Sequence, residues 1–147
     1  MRTPLLAAAV TAAVLALAPS AVAASSSAAA LATCASRTTV YAGNGLYYDK
    51  PSTGWQNGGY SCVLGRGNTG LGVEALQDAL KRCYGQNIAV DGIYGPATEQ
   101  AVRNAQHFHN VYGGAGLAED GVYGPRTGAV LTWPKYDGEW VYATCWG

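Results

Sequence analysis

Histidine, methionine and phenylalanine are almost missing from this sequence, and charge is sparse and balanced. His107 and His109 are the only histidines. At i and i+2 on a helix they point to opposite sides, so they do not chelate one metal as an i, i+4 pair does. No cysteine sits in a C-x-x-C pair, which removes the usual zinc framework. With 9 Lys plus Arg against 9 Asp plus Glu, there is no basic face to meet nucleic acid or anionic lipid. Neither G-x-S-x-G nor S-x-x-K occurs, so serine chemistry has no recognisable frame. A glycosidase needs two carboxylates across a cleft. Glu74 and Asp78 share a helix face with Arg82 at four-residue spacing, which reads as a solvated, charge-laced surface. Glu119, Asp137 and Glu139 carry no role that spacing assigns. The chain is therefore read as non-catalytic, with no cofactor.

A membrane span is absent too, because the one uncharged run, Leu5 to Ala18, falls short of the roughly 20 residues required. Met1-Arg2, that run and the small residues Ala21-Val22-Ala23 instead compose a signal peptide over residues 1–23, cleaved after Ala23. Residues 24–33 are a Ser/Ala leader with little to bury, expected to be disordered. The rest is one domain's worth of chain. Cys34, Cys62, Cys83 and Cys145 make an even count in an exported chain, hence two disulfides with three possible connectivities.

Thr38-Thr39-Val40-Tyr41 and Leu46-Tyr47-Tyr48 flank Gly43-Asn44-Gly45 as a hairpin. It belongs to an extension over residues 34–61, in which 51–59 reads as loop. Val73, Leu76, Leu80 and Cys83 fall on one stripe of a helix from about Leu71 to Tyr84, stopped by Gly85. The tail Trp140 to Cys145, within residues 135–147, reads as a short strand.

The strongest feature is an internal repeat. Asp91-Gly92-Ile93-Tyr94-Gly95-Pro96-Ala97-Thr98 returns as Asp120-Gly121-Val122-Tyr123-Gly124-Pro125-Arg126-Thr127, so one supersecondary unit occurs twice. Asp-Gly suits a tight turn with Gly at positive φ. Gly-Pro suits a helix start, where proline's missing N–H costs nothing. Two helices follow, Pro96 to about His109 and Pro125 to Trp133, the latter stopped by Pro134. Tyr94 and Tyr123 fold inward beside their turns. Valine at Gly92 or Gly121 is expected to weaken the domain badly.

Leu64-Gly65-Arg66-Gly67-Asn68-Thr69-Gly70, then Val73 and Leu76-Gln77 through Leu80, then the two D-G-x-Y-G-P-x-T copies with Ala101-Val102 and Gln106, resemble the peptidoglycan-binding domain family. The resemblance covers residues 62–134 and implies a mainly α, three-helix fold, here with a small flanking hairpin and strand and two disulfides. Tyr84-Gly85 after the third cysteine makes the chain similar to stand-alone exported members. The family has Phe-Gln where Ala105-Gln106 stands, with Phe108 two residues on. Its implied partner is peptidoglycan, bound outside the cell by a secreted, wall-associated monomer.

A groove between the first repeat turn and the middle helix would bring Arg103, Asn104 and Tyr112 together, and the resemblance implies that it takes the polymer. Trp55 and Trp140 in the flanks are the next candidates, since sugar rings lie on aromatic faces. Two other readings differ in class. Leu31-Ala32-Thr33-Cys34 faintly resembles a lipoprotein processing box, and the domain could instead be the protein partner of a separate hydrolase. The favoured bridges are Cys62–Cys83 and Cys34–Cys145. At ~3.3 Å per residue, the segment from Cys62 to Gly70 is long enough to run back along the first helix. The second bridge would tie the hairpin to the C-terminal strand in one small sheet.

Overall fold

The computed structural model describes residues 30–54, 59–138, 141–142 and 145. The expected signal peptide, most of the expected leader, and Trp55, Glu139 and Trp140 lie outside the described residues. No helix among those described is long and apolar enough to cross a membrane.

Two strands open the fold, β1 (Ser36–Gly43) and β2 (Leu46–Ser52). Asn44 and Gly45 both have positive φ, 54° and 77°, the conformation that a two-residue turn between twisted strands demands. The pairing shifts register between Tyr41 and Gly43. Pro51 and Ser52, expected in a loop, continue β2 and are buried. Helix α1 (Leu71–Cys83) carries Glu74 in its first turn and Lys81 and Arg82 in its last, each suited to the helix dipole.

Helix α2 (Pro96–Gly113) begins at proline behind an extended Gly95. It runs past the expected end at His109 because Gly114, at φ 61°, supplies the left-handed cap. The N–H groups of Gly114 and Ala115 close on the carbonyls of Asn110 and His109. Helix α3 (Pro125–Val130) ends three residues before the expected Trp133. Leu131 is already extended, and the Thr132 N–H donates to the Tyr84 hydroxyl at 2.8 Å instead of to a helical carbonyl. Burial raises the pKa of that hydroxyl.

Two short strands complete the sheet, β3 (Lys135–Tyr136) and β4 (Val141–Tyr142), in the order β1-β2-β3-β4. The N-terminal hairpin and the C-terminal strand thus share one antiparallel sheet. With three helices beside it, the expected mainly α architecture holds only in part. The core gathers Leu64, Val73, Leu76, Leu80, Val102 and Trp133 around the inward rings of Tyr94 and Tyr123.

The disulfides are Cys34–Cys62 and Cys83–Cys145, which corrects the pairing of Cys62 with Cys83 and Cys34 with Cys145. The segment after Cys62 does not run back along α1. Val63 pairs with Ala32 and Cys34 through backbone hydrogen bonds, which also ties down the end of the leader at Ala32 and Thr33. That pairing sets the Cα atoms of Cys34 and Cys62 5.1 Å apart, inside bridging range. Cys83, at the end of α1, is left for Cys145.

Candidate functional site

Each repeat turn is held from inside by a glutamine. The Gln77 side chain accepts from the N–H groups of Asp91 (3.0 Å) and Gly92 (2.9 Å). Its amide donates to Asp91 Oδ1, the Ile93 carbonyl and Thr98 Oγ1 at 2.9 to 3.1 Å. Gln106 repeats the pattern: it accepts from Gly121 N–H (2.9 Å) and donates to Asp120 Oδ1, the Val122 carbonyl and Thr127 Oγ1 at 3.0 to 3.2 Å. Both glutamines are buried, with 1% of their surface exposed, so every polar atom needs a partner. Gly92 and Gly121 have φ of 69° and 73°, as the Asp-Gly reading requires.

The two turns are also joined to one another. Tyr94, on the first turn, donates its hydroxyl to the Gly121 carbonyl of the second at 2.6 Å. Burial pushes that phenol well above its ordinary pKa. Between the turns runs the segment 62–70, whose Leu64 pairs with Tyr123 and whose Thr69 pairs with Ile93.

Asp91, Glu99 and Glu119 are all held below the usual carboxylate range. The leading causes are the Gln77 amide for Asp91, the Arg66 guanidinium for Glu99 and the Asn110 amide for Glu119. A depressed carboxylate pKa contributes stability that is present above the unfolded-state value and lost as pH falls through the folded one. Acid unfolding followed by circular dichroism should therefore have a limb that descends below the ordinary carboxylate range. Asp91→Asn should flatten part of it; a superimposable acid limb would mean the Gln77 contact does not favour the ionised form.

On the outer face of α2 lies an open hollow of about 630 Å³, lined by Gln86, Gln100, Arg103, Asn104, His107 and Glu119. Arg103 reaches Glu99 Oε1 at 2.7 Å and the Asp120 carbonyl at 3.2 Å, so its head is fixed against the second turn. Asn104 donates to Gln86 Oε1 at 2.8 Å and accepts from Gln100 at 3.0 Å. His107 Nδ1 lies 3.1 Å from Glu119, which also accepts from Asn110. His109 points elsewhere, to the Tyr84 hydroxyl at 2.7 Å. The floor is thus a ring of amides and charges paired with one another.

This hollow sits along α2 beside the approaches to both turns, rather than between the first turn and the helix. Arg103 and Asn104 come together there as expected. Tyr112 does not line it: eight residues further on, about 12 Å along the axis, its exposed ring packs on Phe108 with centroids 4.9 Å apart.

The repeat gives the hollow a counterpart. Shifting Arg103, Asn104, His107 and Glu119 back by the 29 residues that separate the two motifs yields Glu74, Ala75, Asp78 and Val90. These four line a smaller cavity of about 220 Å³. Its remaining walls come from the flanks: Arg37, Asp49, Pro134 and Tyr136. Arg37 pairs with Glu74 at 3.6 Å, and the Tyr136 hydroxyl donates to Asp78. In the first repeat the sheet closes over this position, while in the second it stays open.

Residues 69–131 match the family described as "Putative peptidoglycan binding domain". The matched span holds α1, both turns, α2, α3 and every residue lining the open hollow. No curated protein and no solved structure matches the chain. Among the described residues, no three His, Cys, Asp or Glu side chains gather as a metal site requires. Sequence reasoning singled out the turns and named Gln77 and Gln106 in the family pattern, but gave the two glutamines no part in clamping the turns. The signal was present: each stands 14 residues before its Asp.

Proposed function

We propose that this protein is an exported, non-catalytic module that holds cell-wall peptidoglycan in the open hollow on α2. The observation that carries the reading is the inequality of the two copies. The position that the chain covers with its own Arg37 and Tyr136 in the first repeat is left open in the second. Its lining of Arg103, Asn104, Gln100 and Gln86 suits the amides, hydroxyls and carboxylates of the polymer better than any apolar ligand. The match over residues 69–131 supports the same partner, and a signal peptide with two disulfides fits the compartment in which that polymer lies. Cys34 is fully buried in its bridge to Cys62, which counts against lipid attachment there.

Polar contacts to a flexible polymer are individually weak, so one site is expected to bind at roughly micromolar to millimolar Kd. Retention then comes from many sites in the solid wall. Purified mature protein should sediment with insoluble peptidoglycan and not with cellulose. Asn104→Ala should melt like the parent yet pellet several-fold less, while Lys81→Ala on α1 and Tyr112→Ala should pellet normally. An Asn104→Ala protein that pellets like the parent would move the contact away from the hollow. Parent protein that stays in the supernatant would end the peptidoglycan reading.

A further inference from the structure

The sheet carries a second surface that the α2 hollow leaves unused. Tyr41 on β1, Tyr47 on β2 and Tyr136 on β3 stand directly opposite one another across the strands. Successive ring centroids are 6.4 and 5.7 Å apart. Tyr136 is pinned through its hydroxyl to Asp78 on α1, which anchors that end of the row. At the other end Tyr41 lies 80% exposed on the edge strand. An open aromatic ring on an unpaired strand edge is a liability for a chain unless something uses it.

The row leads from the β1 edge to the cavity lined by Arg37, Asp49, Glu74 and Asp78. There, carboxylates and a guanidinium are fixed against each other, Arg37 lying 3.4 Å from Asp49 and 3.6 Å from Glu74. Thr39 donates its hydroxyl to Asp49 beside them. Tyr47 and Tyr136 lie nearly parallel, 28° apart, and brace one another, so the row offers the open ring of Tyr41 and a line of hydroxyl tips to a ligand that has C–H faces and many hydroxyls. Each of the three rings carries a hydroxyl, which a polymer rich in hydroxyls can meet. The step from ring to ring is comparable to the advance of one sugar along a β-linked glycan.

We propose that the tyrosine row forms a glycan platform, distinct from the α2 hollow, that lays an N-acetylhexosamine strand across the sheet from Tyr41 to Tyr136. The proposal rests on the peptidoglycan reading above and divides the labour within it, with glycan on the sheet and the hollow left for the stem peptide. None of the platform's tyrosines falls within residues 69–131.

The test uses the mature full-length chain and soluble N-acetylglucosamine oligomers of two to six units as the probe, with binding followed by tyrosine fluorescence. A synthetic stem-type peptide serves as a second probe, and sedimentation with insoluble peptidoglycan runs in parallel. Affinity for the oligomers should rise with length up to the span of the row. Tyr41→Ala should weaken it by about fivefold to tenfold, the scale of one lost ring contact, and Tyr41→Trp should restore it. Because Tyr41 is exposed, the variant's melting temperature should match the parent's, and its affinity for the peptide probe should be unchanged. Oligomer binding that ignores Tyr41 overturns the platform, as does exclusive binding of the peptide probe. Tyr41-dependent self-association seen by analytical ultracentrifugation, with no oligomer binding, also overturns it and makes the edge a dimer contact. Parent protein that pellets with peptidoglycan while Tyr41→Ala binds oligomers unaltered sinks the platform alone. Parent protein that binds oligomers but fails to pellet sinks the peptidoglycan reading and leaves the platform standing.

Discussion

Replacing Gly72 by alanine is expected to cost about 4 kcal/mol or more, at the far end of what one added methyl group does. A Cβ at this position in α1 would fall inside any contact distance of the Cys34 carbonyl oxygen, 2.9 Å from the Ser36 carbonyl oxygen and 3.0 Å from the Cys34 carbonyl carbon. All three atoms are backbone, so none can swing aside as a side-chain tip would. Cys34 is fixed further by its bridge to Cys62 and by its hydrogen bond to Val63. Urea unfolding should show a large drop in midpoint for Gly72→Ala. Gly113→Ala, where an added Cβ meets nothing, should be neutral or slightly stabilising through helix propensity. An unchanged midpoint for Gly72→Ala would mean that β1 does not approach α1 as closely as described.

Gln77→Leu should be nearly as damaging, and more so than Gln106→Leu. Leucine fills a similar volume but strands the N–H groups of Asp91 and Gly92, together with the acceptors on Asp91, Ile93 and Thr98. At ~1–3 kcal/mol for a buried group left unpaired, the Gly92 N–H alone accounts for about 1–3 kcal/mol, and the part-buried Asp91 N–H adds a smaller amount. Gln106→Leu strands one turn N–H, that of Gly121, without the second, part-buried donor that Gln77 holds. Against a typical total of ~5–15 kcal/mol, the first substitution removes a large share of the stability. Denaturation midpoints should fall in the order parent, Gln106→Leu, Gln77→Leu. Equal midpoints for the two variants would show that the turns are not held by the bonds described.

Local chemistry carried most of what was legible beforehand. Asp-Gly and Gly-Pro encode their turns and helix starts within a few residues, and the stripe Val73, Leu76, Leu80 encodes α1, so those elements fall where the pattern puts them. Remote partners decided the rest. The end of α3 is set by the hydroxyl of Tyr84, 48 residues from Thr132 in sequence. The disulfides follow from Val63 pairing beside Ala32 and Cys34, a long-range contact without periodicity. Two-residue strands such as β3 are too short to show alternation. At the hollow, Arg103 and Asn104 were legible as neighbours on the polar side of a helix. Tyr112 was misplaced because two further turns of helix carry it beyond their reach. That the flanking sheet closes one copy and not the other depends on how Arg37 and Tyr136 meet α1, which no repeat spacing encodes.

The two bridges enclose separate stretches of chain, and that arrangement fixes how the molecule bears mechanical load. Tension entering at Cys34 crosses directly to Cys62, and tension entering at Cys145 crosses to Cys83. Residues 35–61 and 84–144 are thereby shielded, and with them the sheet, both turns, α2 and the open hollow. Only the stretch from Cys62 to Cys83 lies in the line of pull. Fully drawn out, it lengthens to about 75 Å, against about 390 Å for the whole run from Cys34 to Cys145 without bridges. While the bridges stay oxidised, a pull between the two ends can stretch the thread and α1 without drawing out the chain that lines the hollow.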